Sequence, residues 1–359
     1  MSVKEVFLDL VSYDTGSDET TGTVPSTPGQ KVLGAHIVDL MKEMGIDDAR
    51  MDEMGYVYGT IPATDSREST VGFIAHMDTY GGVSGKDIKP QIIENYDGGV
   101  IPLGTSGLSL SPEAFPSMKD HVGKTLITTD GTTLLGGDDK AGVAEILCAA
   151  AEILKEGKPH GTVKLGFTPD EEIGQGADHF DVESFGCDYA YTVDGGSLGG
   201  MDYENFNAAS AVVEVEGVSI HTGSAKDKMV NSMTVAMEYC NLLPKAQVPE
   251  HTENYEGFIH LDSIKGNVEH TVMQFLIRDH DKELFQQKKE LMGQAASYIN
   301  VKYPTQPLTL TVKDSYLNMK EQILPRMEII ENMENAMREN GVEPVSHPIR
   351  GGTDGARLS

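Results

Sequence analysis

Cysteine is scarce in this chain of 359 residues, with three in all, and none belongs to a Cys-x-x-Cys pair. An odd, scattered set (Cys148, Cys187, Cys240) among apolar or helical neighbours gives neither a disulfide framework nor thiolate ligands, so the three read as reduced packing residues. Basic residues are also few, 28 against 56 acids, for a formal charge of -28. A field of that sign repels nucleic acid and anionic membrane surfaces, so neither is expected as a partner. No run is apolar enough to span a bilayer, and the opening MSVKEVFLDLVSYD lacks the apolar core and cleavage site of a secretory signal. The expectation is a cytoplasmic protein. Two ligand-binding signatures are missing as well: LLGGDDKAG has neither the Rossmann nor the Walker glycine spacing, and no loop alternates acids as an EF-hand does.

What is present is an ordinary globular composition, 39% hydrophobic and 23% charged, in a length that suits two domains. From Val71 to about Val193, short apolar runs alternate with polar or glycine-rich turns, the punctuation of an α/β fold. VGFIAH (71–76), TVKLGFT (162–168) and YAYTV (189–193) read as buried strands. Residues 139–156 carry Val143, Ile146, Leu147, Ala150 and Leu154 at helical spacing, with Gly157 and Pro159 as a stop. The stretch 14–30, rich in Thr, Ser, Gly and Pro, reads as an irregular loop.

Near residue 208 the pattern changes to strand (AVVEVEG), helix (about 227–243), two strands (GFIHLDSIKG, EHTVMQFLIRD), helix (about 282–299) and strand (PLTLTV). The order βαββαβ fits an antiparallel sheet with two helices on one face, as in ferredoxin-like folds. It predicts an inserted domain over 207–314. An amphipathic helix over 326–341 and the glycine-rich tail then return to the first domain, giving a discontinuous unit of 1–206 and 315–359.

The chemistry gathers at the ends of the apolar runs, where α/β sheets place their ligand sites. On an extended chain His76 and Asp78 point to one side, so an imidazole and a carboxylate can meet at one spot, although such a pair is often only a turn. Asp138 stands at a helix mouth after Gly136 and Gly137, where it can cap the helix or bridge cations. TPDEEIG (168–174) stacks Asp170, Glu171 and Glu172 in one turn. Adjacent carboxylates repel unless they lie in solvent or serve a metal, and neighbours that project differently can divide ligand and base roles. Asp194 in YTVDGG ends another strand.

GFIAHMDT, TTDGTTLLGGDDKAG, GFTPDEEIG, YTVDGG and IRGGTDGARLS, together with PSTPGQ (25–30), occur in the order and spacing of the peptidase T family, and the chain resembles that family over essentially its whole length. The resemblance implies a zinc-peptidase catalytic domain with a mixed sheet flanked by helices, and an inserted lid and dimerisation domain. It implies a zinc-dependent aminopeptidase acting on tripeptides, with two zinc ions per subunit in the complete protein. His76, Asp138, Glu172 and Asp194 match its metal ligands, with Asp138 bridging, Asp78 orienting His76, and Glu171 as general base. Oxygen and nitrogen donors suit hydrolytic zinc, with manganese or cobalt as alternatives.

VEGVSIHTGSAKDKMVNSM (215–233) resembles the hallmark segment of the family's inserted domain, and implies that His221 stabilises the oxyanion. Arg278 and Arg350 are candidates for gripping the peptide carboxylate, with Asn231 as a further contact, while Arg278 could instead pair with Asp279 or Asp281. The family's second histidine ligand follows IRGGTDGARLS, whereas this sequence stops at Ser359 and His347 precedes the glycine loop. The resulting expectation is a second metal site without its histidine and little activity in this chain. Two other readings remain: a dizinc amidohydrolase or dipeptidase with another small substrate, and a non-catalytic metal-binding homologue.

Overall fold

Why the chain folds as it does is plainest in its helices. Leu33, Ile37 and Met41 recur at the spacing of one helix face and are fully buried, as are Val143, Leu147 and, nearly so, Ile146 and Ala150. The computed structural model describes residues 2–65 and 68–359, which divide into two compact units, Met1–Gly196 with Leu358, and Ser197–Arg357 with Ser359.

The first unit holds helices α1 (Val3–Leu10), α2 (Pro28–Glu43) and α3 (Gly137–Glu156). Its sheet has strands β1 (Arg50–Met51), β2 (Val57–Ile61), β3 (Val71–His76), β4 (Val163–Thr168) and β5 (Tyr189–Thr192) in the order β1-β2-β4-β3-β5. β3 runs parallel to β4 and β5, while β2 is antiparallel to β4, so the sheet is mixed. Alternation sends Val57, Ala75, Leu165 and Phe167 to the face covered by the three helices. Tyr56, Tyr58 and Ile74 meet Phe180 and Phe185 on the other.

Several expectations need correction here. YAYTV was expected to be a buried strand, but β5 lies at the sheet edge and is only half covered. Leu154 is exposed, and at the end of α3 it is its neighbour Ile153 that packs against the core. The irregular stretch ends at Thr27, not at residue 30, because Pro28 occupies the first helical position, where a missing N–H costs nothing.

The second unit contains the βαββαβ order: β6 (Asn207–Glu216), α4 (Ser232–Leu242), β7 (Phe258–Gly266), β8 (His270–Asp279), α5 (Lys282–Lys302) and β9 (Leu308–Tyr316). The strands are all antiparallel in the order β7-β8-β6-β9, as the ferredoxin-like pattern requires. Val213, Met273, Phe275 and Ile277 of the sheet bury against Val235 and Tyr239 of α4 and Phe285, Met292 and Ile299 of α5. α4 starts at Ser232, about five residues later than its apolar pattern suggests, because the Asn231 side chain accepts from Met233 N and caps it there. The helix expected over 326–341 is α6 (Glu328–Glu339).

Three buried asparagines tie the chain entering this sheet to the chain leaving it. Asn205 donates to Leu317 O and accepts from Met319 N, Asn207 accepts from Asn318 N, and Asn318 accepts from Asn205 N. Nearby, Lys288 Nζ donates to Asp279 Oδ2 at 2.6 Å, both side chains being almost wholly buried. Removing one partner strands a charge in the interior. Lys288→Met should therefore lower stability by roughly 3–5 kcal/mol in denaturant titrations, and the matched Lys288→Met/Asp279→Leu pair should recover most of it. A single variant as stable as wild type would show that the pair carries no such load.

Candidate metal centre

The candidate site is assembled at the carboxyl ends of β3, β4 and β5, within the first unit. β3 ends on His76, and the next turn carries Asp78; β4 runs into the Asp170–Glu172 turn; β5 leads to Asp194; and α3 opens on Asp138. Gly142 lets the last two approach each other, since a Cβ there would run into the Val193 carbonyl oxygen beside Asp194.

Nitrogen and oxygen donors of His76, Asp138 and Asp194 lie within 4.8 Å of one another, a spacing that can hold one cation. His76 Nε2 is 2.9 Å from Asp138 Oδ1. Its Nδ1 faces the Asp78 carbonyl at 3.1 Å and the Asp78 carboxylate at 3.3 Å. The imidazole is thus held from behind by Asp78 with Nε2 presented forward. Asp78, fully buried, also accepts from Glu171 N at 2.9 Å and Glu172 N at 3.1 Å, so one carboxylate sets both the ring and the acid turn.

Of the four expected ligands, three converge, and Glu172 stands in the adjoining turn, close enough to feel the charge of Asp138. Asp138 makes no cap; its φ and ψ are not helical, the Asp138–Asp139 peptide is cis, and the capping duty falls to Asp139, whose Oδ1 accepts from Gly142 N. Asp139 and Lys140 were not among the expected site residues. Asp139 also accepts from His76 N at 3.3 Å, locking the end of β3 to the start of α3, and burial pushes its carboxyl up to about 9. Lys140 is fully buried, donates to Tyr13 O at 2.6 Å, and is pushed down to about 8 by burial against the pull of Asp14 and Asp78. A charged pattern like DDK carries no sign of which member turns inward.

The electrostatics favour a cation. Burial works against a charged His76 ring, but its bonds to Asp138 and Asp78 and the field of Asp139 outweigh that and hold it well above the usual range. The hydrogen bond from His76 lowers Asp138, whereas burial first and the charge of Asp138 next raise both Asp194 and Glu172. One imidazole among these carboxylates leaves an excess of negative charge that a divalent ion would neutralise, and the donor set, one nitrogen and several oxygens with no thiolate, fits zinc or a similar metal.

The other expected site residues lie in the second unit. His221 is exposed, with Nδ1 accepting from Gly223 N at 3.2 Å, which leaves the proton on Nε2. Arg278 pairs with neither Asp279 nor Asp281; it donates to Ala209 O and Ile277 O, and its guanidinium sits 5.7 Å from the Tyr316 ring centre. Arg350 donates to Asn254 O, Glu256 O and Thr252 Oγ1, and covers Phe206. His347 N donates to Asp202 Oδ1.

The chain is 54% identical over 359 residues to peptidase T of Clostridium perfringens, covering 99% of this chain and 88% of that relative. It belongs to the peptidase T family. Peptidase T of Halothermothrix orenii is 53% identical over 360 residues, with the same coverage. Membership makes the chain a hydrolase of the metallopeptidase class. Residues 203–307 match the family described as the peptidase dimerisation domain. The fold matches the crystal structure of the aminopeptidase PepT from Bacillus cereus ATCC 10987 with a TM-score of 0.77 at 23% identity, over 99% of this chain and 86% of that one. Among the described residues no helix is long and apolar enough to cross a membrane, and all three cysteines are free, each packed against a hydrophobic cluster.

Proposed function

We propose that this chain is a zinc-dependent aminopeptidase that releases the N-terminal residue from tripeptides. The observation that carries the reading is the convergence of His76, Asp138 and Asp194 beside a turn whose two glutamates are gripped by Asp78, in a member of the peptidase T family. His76, Asp138, Glu172 and Asp194 would hold the metal. When bound, zinc supplies a Lewis acid for the peptide carbonyl and a more acidic water.

Glu171 takes the proton from the attacking water and delivers it to the leaving amine. It directly precedes the ligand Glu172, and its backbone N–H is held by Asp78. His76 stays oriented because both acceptors of Asp78 face its Nδ1. His221, Asn231, Arg278 and Arg350 are our candidates for holding the substrate; of these His221 offers an Nε2–H suited to a developing oxyanion.

The division into 1–206 with 315–359 and an inserted 207–314, homodimerisation through the insert, and a cytoplasmic location belong to the same proposal. The match to a dimerisation domain supports the second of these.

Chelation followed by add-back tests the reading. Hydrolysis of a free tripeptide should vanish with a chelator and return with zinc, and the products should be one free amino acid and a dipeptide. An amino-blocked tripeptide cleaved equally well would instead favour another amide substrate. Hydrolysis that persists in a metal-free sample would reject the metal-dependent reading.

A further inference from the structure

The turn 170–172 sets three carboxylates side by side, and only two of them have work in the proposed reaction. Asp170 is 1% exposed and takes no part in the metal cluster. Its backbone is left-handed, φ 58 and ψ 27, at the residue immediately before Glu171. Aspartate tolerates that region better than most side chains, and here a set of hydrogen bonds holds it there.

The Asp170 carboxylate accepts from Ser26 N at 2.7 Å, Ser26 Oγ at 2.5 Å and Gln30 Nε2 at 2.7 Å. The Gln30 amide completes the ring, because its Oε1 accepts from Asp170 N at 3.1 Å. Gln30 is fully buried in the first turn of α2, and Gly29 permits that turn to sit against Asp14, whose carbonyl oxygen a Cβ would strike. Asp170 O in turn accepts from Gln175 N at 2.9 Å, closing the far side of the turn.

We propose that Ser26 and Gln30 are positioning residues that draw Asp170 out of the acid turn and so decide which two of three adjacent carboxylates, Glu171 and Glu172, face the metal. The inference rests on the proposed roles of those two glutamates. Asp78 holds the turn from the metal side by the N–H groups of Glu171 and Glu172, and the cage holds it from behind by the carboxylate and N–H of Asp170. With the cage broken, Asp170 becomes a third acid competing for the cation, and the direction of its successors is no longer set. The PSTPGQ segment, far away in sequence, thereby acquires a role.

The donor and acceptor pattern can be reversed without changing shape. Gln30→Glu replaces the donor to Asp170 by an acid, and Asp170→Asn replaces the acceptor by an amide while keeping a residue tolerant of the left-handed region. Together they restore one donor and one acceptor. The test is a cobalt(II) titration followed by its visible absorption, with thermal midpoints of the metal-free proteins and tripeptide kinetics, on wild type, both single variants and the double.

Each single variant should bind cobalt at least about tenfold more weakly and lose kcat more than it raises KM, and the double should return to within about threefold of wild type. Singles that bind cobalt like wild type, or a double no better than the singles, would overturn the proposal. If a single fails to fold, Ser26→Ala, which deletes one donor and keeps the backbone one, must weaken cobalt binding in the same direction; a folded Ser26→Ala with native affinity counts against it. A wild type that hydrolyses no tripeptide while the cobalt cycle shows loss and restoration sinks the aminopeptidase reading alone. An active wild type with a flat cycle sinks the cage alone.

Discussion

Glu171→Gln should lower kcat on a free tripeptide by about 10²–10⁴-fold and leave metal uptake intact. The substitution keeps the shape and polarity of the side chain and the backbone N–H that donates to Asp78 at 2.9 Å, so the turn survives. What disappears is the only function asked of the side chain, carrying a proton from water to the leaving amine. Steady-state kinetics and zinc content measured on one sample separate the two effects. A variant that retained more than a tenth of wild-type kcat would remove Glu171 from the role of base, and one that lost its zinc would make it a ligand.

Asp78→Ala should strike stability and metal affinity together. The side chain is fully buried and accepts from Glu171 N, Glu172 N and the His76 ring. Deleting it orphans donors in the interior, at about 1–3 kcal/mol for each buried unsatisfied group, and frees the ring to rotate. Loss of an orienting partner behind a metal-binding histidine costs about 10–100-fold in affinity. Lys140, already pushed down to about 8 by burial, also loses one of the two charges that support it. We expect a lower unfolding midpoint in the metal-free protein and a smaller rise on adding zinc. An unchanged zinc-induced rise would show that Asp78 does not orient His76. Asp78→Asn, which keeps one acceptor, should fall between the two.

Much of the site can be read in the sequence because Asp78, the acids of TPDEEIG and Asp194 each follow an apolar run, and the parallel strands β3, β4 and β5 send such residues to one edge. His76 and Asp194 meet there, and Asp138 joins them from the start of α3. The βαββαβ unit is legible for a similar reason: strand periodicity of two and helix periodicity near 3.6 leave distinct traces in 207–314. What failed was local and depended on neighbours. YAYTV is as apolar as a central strand, yet its burial depends on whether another strand lies beyond it, and among the described residues none does. The start of α4 was masked because apolar residues precede the Asn231 cap, and capping is a matter of one side chain reaching one N–H.

The sequence was thus enough for the α/β class, the resemblance to the peptidase T family and the grouping of His76, Asp138 and Asp194, since these follow from periodicity and from motifs that keep their order along the chain. The resemblance assigned roles to Glu171 and Glu172 but none to Asp170, and residue pattern alone did not separate the three acids of TPDEEIG. What holds each of them in place are partners distant in sequence: Asp78 accepts from the backbone N–H groups of Glu171 and Glu172, while Ser26 and Gln30 donate to the Asp170 carboxylate. Hydrogen bonds act over about 3 Å, and no pattern along the chain says which donor will arrive there until the helices have packed on the sheet.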